Sequence, residues 1–401
     1  MITDKKIVNN ISNRYNLGYY SVGDLFSFNK SEALRFATSN PNLNVSYHYF
    51  DEHFQSLNIN KEIHFTLEEL YAQRAQQLRD KYDYLILSFS GGSDSTNILD
   101  TFLKNNIKLD EIATFYPLEA IDKFYKNNID LNDRSNKNLA LEYIGSVEPK
   151  LKQVSLSHPD IKITVMDNSQ ETINIIDNQL VDKLEMGSGV VTSPSCSGHY
   201  MMGNHLRSLT DRLKGKTVGY ITGVDKPRMG YNRNARKLGV FFDDMSNTHG
   251  NFLDTVLGGF KPNIEHFYYS TEFSDVWIKQ CQILKNVMIP ILTSDPSPDF
   301  YKMLHIVSQR KNEIFDVHND FFKKILYKNW DLNIFQARKP TSGYYHQMAY
   351  WFFNADFVSN RTKDFYEQQI NERLYGIDNA RFVNREKDTG KLIRLHVMRS
   401  K

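Results

Sequence analysis

The sequence predicts an α/β protein built on a doubly wound, mainly parallel sheet, followed by a mostly helical C-terminal region. Three observations carry that prediction. Short apolar runs suited to strands buried on both faces alternate with stretches whose apolar residues recur at helical spacing. The alternation has the length of strand–helix–strand units, which join parallel strands. A Ser/Gly-rich turn stands where the first of those strands passes into a helix, the place where open α/β sheets bind ligands.

Residues 1 to about 60 are polar, rich in Asn, Ser, Tyr and Phe, and without clean periodicity, so they read as an irregular lead-in or small cap. Thr66-Leu-Glu-Glu69 then forms a capping box, with Thr66 as N-cap and a glutamate three residues on. Leu67, Leu70, Tyr71, Ala75 and Leu78 fall on one face of the helix that follows, at about 66–81. Tyr84 to Phe89 is the longest apolar run and has the length of a buried strand. After the turn at 90–95, Ile98, Leu99, Phe102 and Leu103 repeat at helical spacing. Glu111 to Tyr116 reads as a second strand, 135–157 as helix, and Ile161 to Met166 as a third strand. A helix at 170–184, a Gly/Ser/Pro loop at 187–198 and a helix at 200–213 lead to a fourth strand, Thr217 to Thr222. Beyond about 260 the pattern is aromatic-rich and mostly helical, with a terminal strand at Lys391 to Val397. The division this implies is a lead-in or cap over 1–80, the α/β core over 81–260 and the helical region over 261–401.

Charge and cysteine content narrow the class. Lys+Arg 49 against Asp+Glu 47 gives a formal charge of +2, which carries no global footprint for nucleic acid or anionic membrane and leaves only a local patch open. Cys196 and Cys281 are the only cysteines, so no disulfide framework is expected. No apolar run approaches the ~18 residues needed to span a bilayer. The first residues run into polar sequence without an apolar segment, so a cytoplasmic location is expected.

The chemistry is concentrated in Ser88-Phe-Ser-Gly-Gly-Ser-Asp-Ser-Thr96. Gly91 and Gly92 can take backbone angles closed to other residues and let main-chain N–H groups approach an anion. The following helix adds free N–H groups and the positive end of its dipole. Ser90, Ser93 and Ser95 add short hydroxyl donors. Asp94 is out of place as a bare phosphate contact, but fits if it holds Mg²⁺ bridging phosphates. A Walker loop would need a Lys that is absent, and the dinucleotide fingerprint G-x-G-x-x-G is absent too. A Ser/Gly turn that merely joins strand to helix is the plain alternative. Average residue usage makes Ser-Gly-Gly-x-Asp-Ser a chance event on the order of a thousandth in a chain of this length.

Ser90-Gly-Gly-Ser-Asp-Ser95 resembles the signature of the PP-loop ATP pyrophosphatase superfamily, which includes asparagine synthetase, GMP and NAD synthetases and tRNA-modifying ligases. The resemblance covers about residues 81–260. It implies ATP and Mg²⁺ as cofactors, a PP-loop fold, cleavage of ATP between the α- and β-phosphates, and activation of a carboxylate or nucleobase carbonyl as an adenylate. A second stretch, Thr192 to Met202 followed by a helix and Val218 to Asp225, resembles the asparagine-synthetase-like branch, in which a strand ends in a Gly and acidic loop facing the pyrophosphate. Gly223 and Asp225 match that role, with Asp225 as a second metal-side acid. Where the branch continues with Glu, this chain has Lys226-Pro-Arg228. Lys226 and Arg228 could neutralise charge on the leaving pyrophosphate or form an ordinary turn. With the phosphates on Ser88 and residues 90–95, Thr114, Phe115 and Tyr116 would lie beside the adenine.

The leading expectation is an adenylating synthetase or ligase acting on a small-molecule acceptor and passing the activated group to a nitrogen nucleophile. The same chemistry on a nucleobase in RNA or DNA, installing nitrogen or sulfur, is the second; Arg228, Arg233, Arg236 and Lys237 supply a local basic stretch that would serve it or merely form a solvated loop. An ATP-sensing module without transfer is the third. Cys196, His199 and His205 resemble a metal spacing that lacks a fourth ligand. Glutamine-using asparagine synthetases carry a catalytic N-terminal cysteine. Residue 2 here is Ile2 and 89 residues precede Ser90, so this chain is not expected to make its own ammonia.

Overall fold

The N-terminal segment folds although its sequence shows no periodicity. Helix α1 (Lys5–Tyr15) is capped by the Asp4 carboxylate, which accepts from the Lys6 N–H, and ends on Asn16 in the left-handed region. Strands β1 (Tyr19–Val22), β2 (Leu25–Ser27) and β3 (Val45–His48) form an antiparallel sheet in the order β2-β1-β3. This sheet stands where an irregular lead-in or small cap was expected. Three of the four β1 residues are buried, Tyr19, Tyr20 and Val22, so its strands lack the alternation that would betray them. A short helix, α2 (Asp51–Ser56), buries Phe54 against Trp277, with ring centroids 5.5 Å apart.

Helix α3 (Leu67–Lys81) begins with the expected capping box: Thr66 Oγ1 accepts from the Glu69 N–H at 3.2 Å and Glu69 Oε2 from the Thr66 N–H at 2.7 Å. Strand β4 (Tyr84–Ser88), helix α4 (Ser93–Lys104) and strand β5 (Glu111–Tyr116) follow as predicted. A turn of π-helix at Tyr143–Val147 runs into helix α5 (Glu148–Ser157), then strands β6 (Lys162–Asp167) and β7 (Val218–Thr222). Strands β8 (Arg228–Asn232), β9 (Lys237–Phe241) and β10 (Asn263–His266) precede helix α6 (Asp275–Thr293). Strands β11 (Val307–Gln309) and β12 (Ile314–Asp316) and helix α7 (Asn319–Leu326) complete the elements. The computed structural model describes residues 2–28, 45–116, 143–167, 212–223, 226–232, 237–241, 263–293 and 319–327, with a few short pieces between them. The expected helix at 170–184, the loop at 187–198 and the strand at 391–397 lie outside the described residues.

Five strands form one parallel sheet in the order β10-β7-β4-β5-β6. The fold is α/β and doubly wound. Its edge strand β10 comes from beyond residue 260, where the sequence reading ends the core. Parity along β4 explains why its sequence is a continuous apolar run. Leu85 and Leu87 pack with Leu70, Leu78, Ile98, Phe102 and Trp277 on one face, while Ile86 packs with Leu209, Leu213, Val218 and Tyr220 on the other. A separate antiparallel sheet has the order β11-β12-β8-β9. It includes Arg228 and Lys237 of the basic stretch, with Arg228 opposite Phe241 and Asn232 opposite Lys237, while Arg233 and Arg236 lie outside the described residues.

Two buried carboxylates pin the large sheet to its surroundings. Glu111, at the start of β5, accepts from Tyr84 Oη at 2.7 Å, Thr164 Oγ1 at 2.6 Å and Arg212 Nη2 at 2.8 Å. His205, whose Nε2 lies 2.9 Å away, and these three donors overcome the cost of burial and hold its carboxyl well below the usual range. Glu265 on β10 is met by Arg74 at 2.8 Å, by Lys81 at 2.9 Å and by the Tyr82 hydroxyl, tying the edge strand to α3.

Candidate functional site

From β4 the chain moves one way to β5 and β6 and later crosses to β7 and β10 on the other side. The C-terminal ends of β4 and β7 are therefore the topological switch point of the sheet, the place where open α/β sheets bind ligands. The Ser/Gly loop leaves β4 there, and Gly223 and Lys226 follow β7 on the other side.

The loop is held from below and from the flank. The Phe89 N–H continues the ladder to Ala113 O at 2.9 Å. Tyr116 Oη donates to Ser90 O at 2.9 Å, and Ser146 Oγ donates to Gly91 O at 2.8 Å. Gly91 has φ +69°, and a Cβ there would come within 2.5 Å of Val147 Cγ2, so both the backbone angle and the space require glycine. Ser90 and Ser95 close the loop on itself, with Oγ atoms 3.3 Å apart. Gly92 caps α4 with no side-chain hydrogen bond, so the first-turn N–H groups receive no capping side chain. Gly223 lets the end of β7 press against that turn: a Cβ there would lie 3.0 Å from the Ser95 N.

Asp94, in the first turn of α4, is the focus of the polar contacts. Its Oδ1 accepts from Tyr327 Oη at 2.6 Å and from Lys226 Nζ at 3.2 Å, while Ser93 Oγ stands 3.3 Å from Oδ2. Tyr268 Oη donates to the Asp94 carbonyl at 2.7 Å and accepts from Asn97 Nδ2 at 3.1 Å. Burial works against the charged carboxylate. The nearby Lys226 and Lys323 charges and the bonds from Tyr327 and Lys226 outweigh it, holding the carboxyl below its ordinary value. Burial pushes the Tyr268 and Tyr327 phenols well up, so both remain protonated donors. The arrangement is an ionised acid at a helix N-terminus, ringed by two cations and two hydroxyl donors.

The structure thus brings together Ser90, Gly91, Gly92, Ser93, Asp94, Ser95, Gly223 and Lys226. Tyr116 joins them through its hydroxyl, whereas Thr114 is buried within β5 and Ser88 is the last residue of β4. Asp225 lies outside the described residues, as do the side chains of Phe115 and Arg228. Cys196 and His199 lie outside them too. His205 stands 2.9 Å from Glu111 at the start of β5, the opposite end of the strands from the loop, and no cluster of three or more acidic, His or Cys side chains suited to a metal occurs among the described residues. Sequence reasoning missed Tyr268, Tyr327, Lys323 and Ser146. Neither Tyr268 nor Tyr327 carried a signal, since the sequence placed no strand at 263–266 and both tyrosines lie in aromatic-rich stretches. No protein-family model matches this chain, and no curated protein matches it.

Proposed function

We propose that this chain is an ATP pyrophosphatase-type synthetase or ligase of the PP-loop kind. It would adenylate a carboxylate or carbonyl acceptor, release pyrophosphate and pass the activated group to a nitrogen nucleophile. The observation that carries the reading is the ionised Asp94 in the first turn of an uncapped helix at the sheet's switch point, with the buried Lys226 against it.

In this reading the main-chain N–H groups of residues 90–95 and the α4 N-terminus hold the ATP phosphates. An acceptor oxygen attacks the α-phosphorus, the bond to the bridging oxygen breaks, and that oxygen leaves with the pyrophosphate. A nitrogen nucleophile then attacks the activated carbon and AMP departs. Lys226 offsets charge developing on the leaving pyrophosphate. The residues fit a divalent cation: Asp94 is ionised and its Oδ2 is only weakly engaged, while Mg²⁺ is ordinarily held by one or two carboxylates plus phosphates and water. Asp94, with Asp225 as the second acid, would hold it; when bound, Mg²⁺ neutralises phosphate charge. Tyr116 and Thr114 lie on the strand next to the loop, on the side assigned to the adenine.

The test is to incubate the purified protein with ATP labelled in the α-phosphate, Mg²⁺, hydroxylamine as nucleophile and panels of carboxylate and nucleobase acceptors. Acceptor-dependent formation of AMP and pyrophosphate is expected. Release of orthophosphate and ADP in their place, or failure to bind ATP, removes this reading.

A further inference from the structure

The two oxygens of Asp94 are treated differently by the protein. A carboxylate oxygen offers about two lone-pair sites, and Oδ1 spends both, on Tyr327 Oη at 2.6 Å and Lys226 Nζ at 3.2 Å. Among the described residues Oδ2 meets only Ser93 Oγ, at 3.3 Å. Tyr327 is buried, and its ring lies 5.7 Å from that of Tyr268, which holds the backbone carbonyl of the same residue. Asp94 is therefore gripped twice by tyrosines, 174 and 233 residues away in sequence.

We infer that Tyr327 is a positioning residue: by occupying Oδ1 it presents Oδ2 as the single oxygen that a nucleotide-bound divalent cation takes, with Tyr268 fixing the backbone beneath. The inference rests on the nucleotide reading proposed above. The physical step is simple. Without the Tyr327 hydroxyl, the carboxylate is free to turn about its Cβ–Cγ bond and share the Lys226 ammonium between both oxygens. Oδ2 is then partly covered by a cation, which repels a second one. Tyr327 follows α7 directly, so the geometry also makes cation binding at the loop depend on seating of this C-terminal helix, which packs on α6.

The experiment measures ATP binding by calorimetry across a Mg²⁺ series and again in EDTA, for wild type, Tyr327→Phe and Tyr268→Phe. Removing a residue that orients a metal ligand typically weakens metal affinity ten- to a hundred-fold. The Mg²⁺ concentration at half-effect is expected to rise about tenfold in Tyr327→Phe and less in Tyr268→Phe, with metal-free ATP affinity unchanged in both. A merely structural role would lower metal-free binding by the same factor as metal-dependent binding, and that result overturns the inference. Melting temperatures report whether each variant is folded; if Tyr327→Phe is not, Tyr268→Phe carries the decision, and an unchanged half-effect concentration there overturns the inference. Wild-type binding with unchanged half-effect concentrations in both variants sinks this inference alone. A wild type that does not bind ATP sinks the nucleotide reading, and this inference with it.

Discussion

Lys226 and Asp94 are 132 residues apart in sequence and 3.2 Å apart in space, and their exposures differ sharply: the lysine side chain is 0% exposed and the aspartate 22%. The pair spans the switch point, joining the segment after β7 to the first turn of α4. Because only one partner is fully sequestered, the two halves of the pair are not equivalent.

That inequality gives a stability prediction. Asp94→Ala takes the carboxylate away from a buried ammonium that keeps other interactions, so the loss should fall short of the roughly 3–5 kcal/mol seen when a buried charge is left unpaired. Lys226→Met keeps the volume, removes the buried charge and leaves a carboxylate that still reaches water and Tyr327. The lysine variant should therefore be clearly more stable than the aspartate variant in urea titrations. Equal losses would mean that the pair is as wet on the lysine side as on the aspartate side.

The same lysine variant tests the chemistry. Loss of one preorganised charge at a developing anion typically lowers kcat ~10²–10³-fold. Lys226→Met should do so in pyrophosphate release with a modest change in the KM for ATP, because the charge matters most when pyrophosphate leaves. A variant that keeps its kcat would return Lys226 to a packing role.

Much of this site was readable from residues 66–116, and the reasons are local. Thr66 and Glu69 cap α3 within one turn, Leu85 to Leu87 are apolar because both faces of β4 are covered, and Gly91 marks a turn that other residues cannot make, whereas Gly92 has an extended backbone with φ −73° that any residue adopts. The partners of Asp94 were harder. Lys226 meets it only because β7 pairs with β4 in parallel, Tyr84 beside Val218, a long-range choice that no window of sequence contains. The sequence left Lys226 divided between a charge-neutralising role and an ordinary turn, and the structure adds that it is buried against Asp94. Tyr327 directly follows α7 in an aromatic-rich stretch, where a core role is the ordinary expectation, and only the direction of its hydroxyl distinguishes it. The β8–β9 hairpin was hidden because Arg228 to Lys237 reads as a polar loop.

Gly91 gives a two-part prediction. Alanine at a left-handed position costs about 1–2 kcal/mol, and forcing a methyl into packed space costs about 1–3 more. Gly91→Ala should lower stability by both and weaken ATP binding, since the loop carbonyls held by Tyr116 and Ser146 must shift. Adding Val147→Ala should relieve the clash at 2.5 Å without relieving the +69° backbone angle, so recovery should be partial. Full recovery would show that backbone strain is negligible there.

His266 gives a prediction about acid stability. It is fully buried at the end of β10, with Nδ1 3.0 Å from Thr222 Oγ1 and its ring stacked on Tyr269 at 5.0 Å and edge-on to Tyr49. Burial lowers its pKa from 6.5 to about 4, the Glu265 charge and a backbone contact from Asn16 opposing and the Arg74 charge assisting. The unfolded chain therefore takes up a proton at a higher pH than the folded chain does. Stability contributed here is complete above about pH 6.5, declines as pH falls, and levels off below about pH 4. The shift corresponds to about 3 kcal/mol across that window. His266→Phe should be less stable than wild type at pH 7, because it loses the Thr222 contact, yet should lose less stability between pH 6.5 and 4. Unfolding free energies for both proteins at half-unit pH intervals check this, with Glu265 and Arg74 unchanged as internal controls. Parallel curves for the two proteins would mean that His266 titrates alike in the folded and unfolded chain.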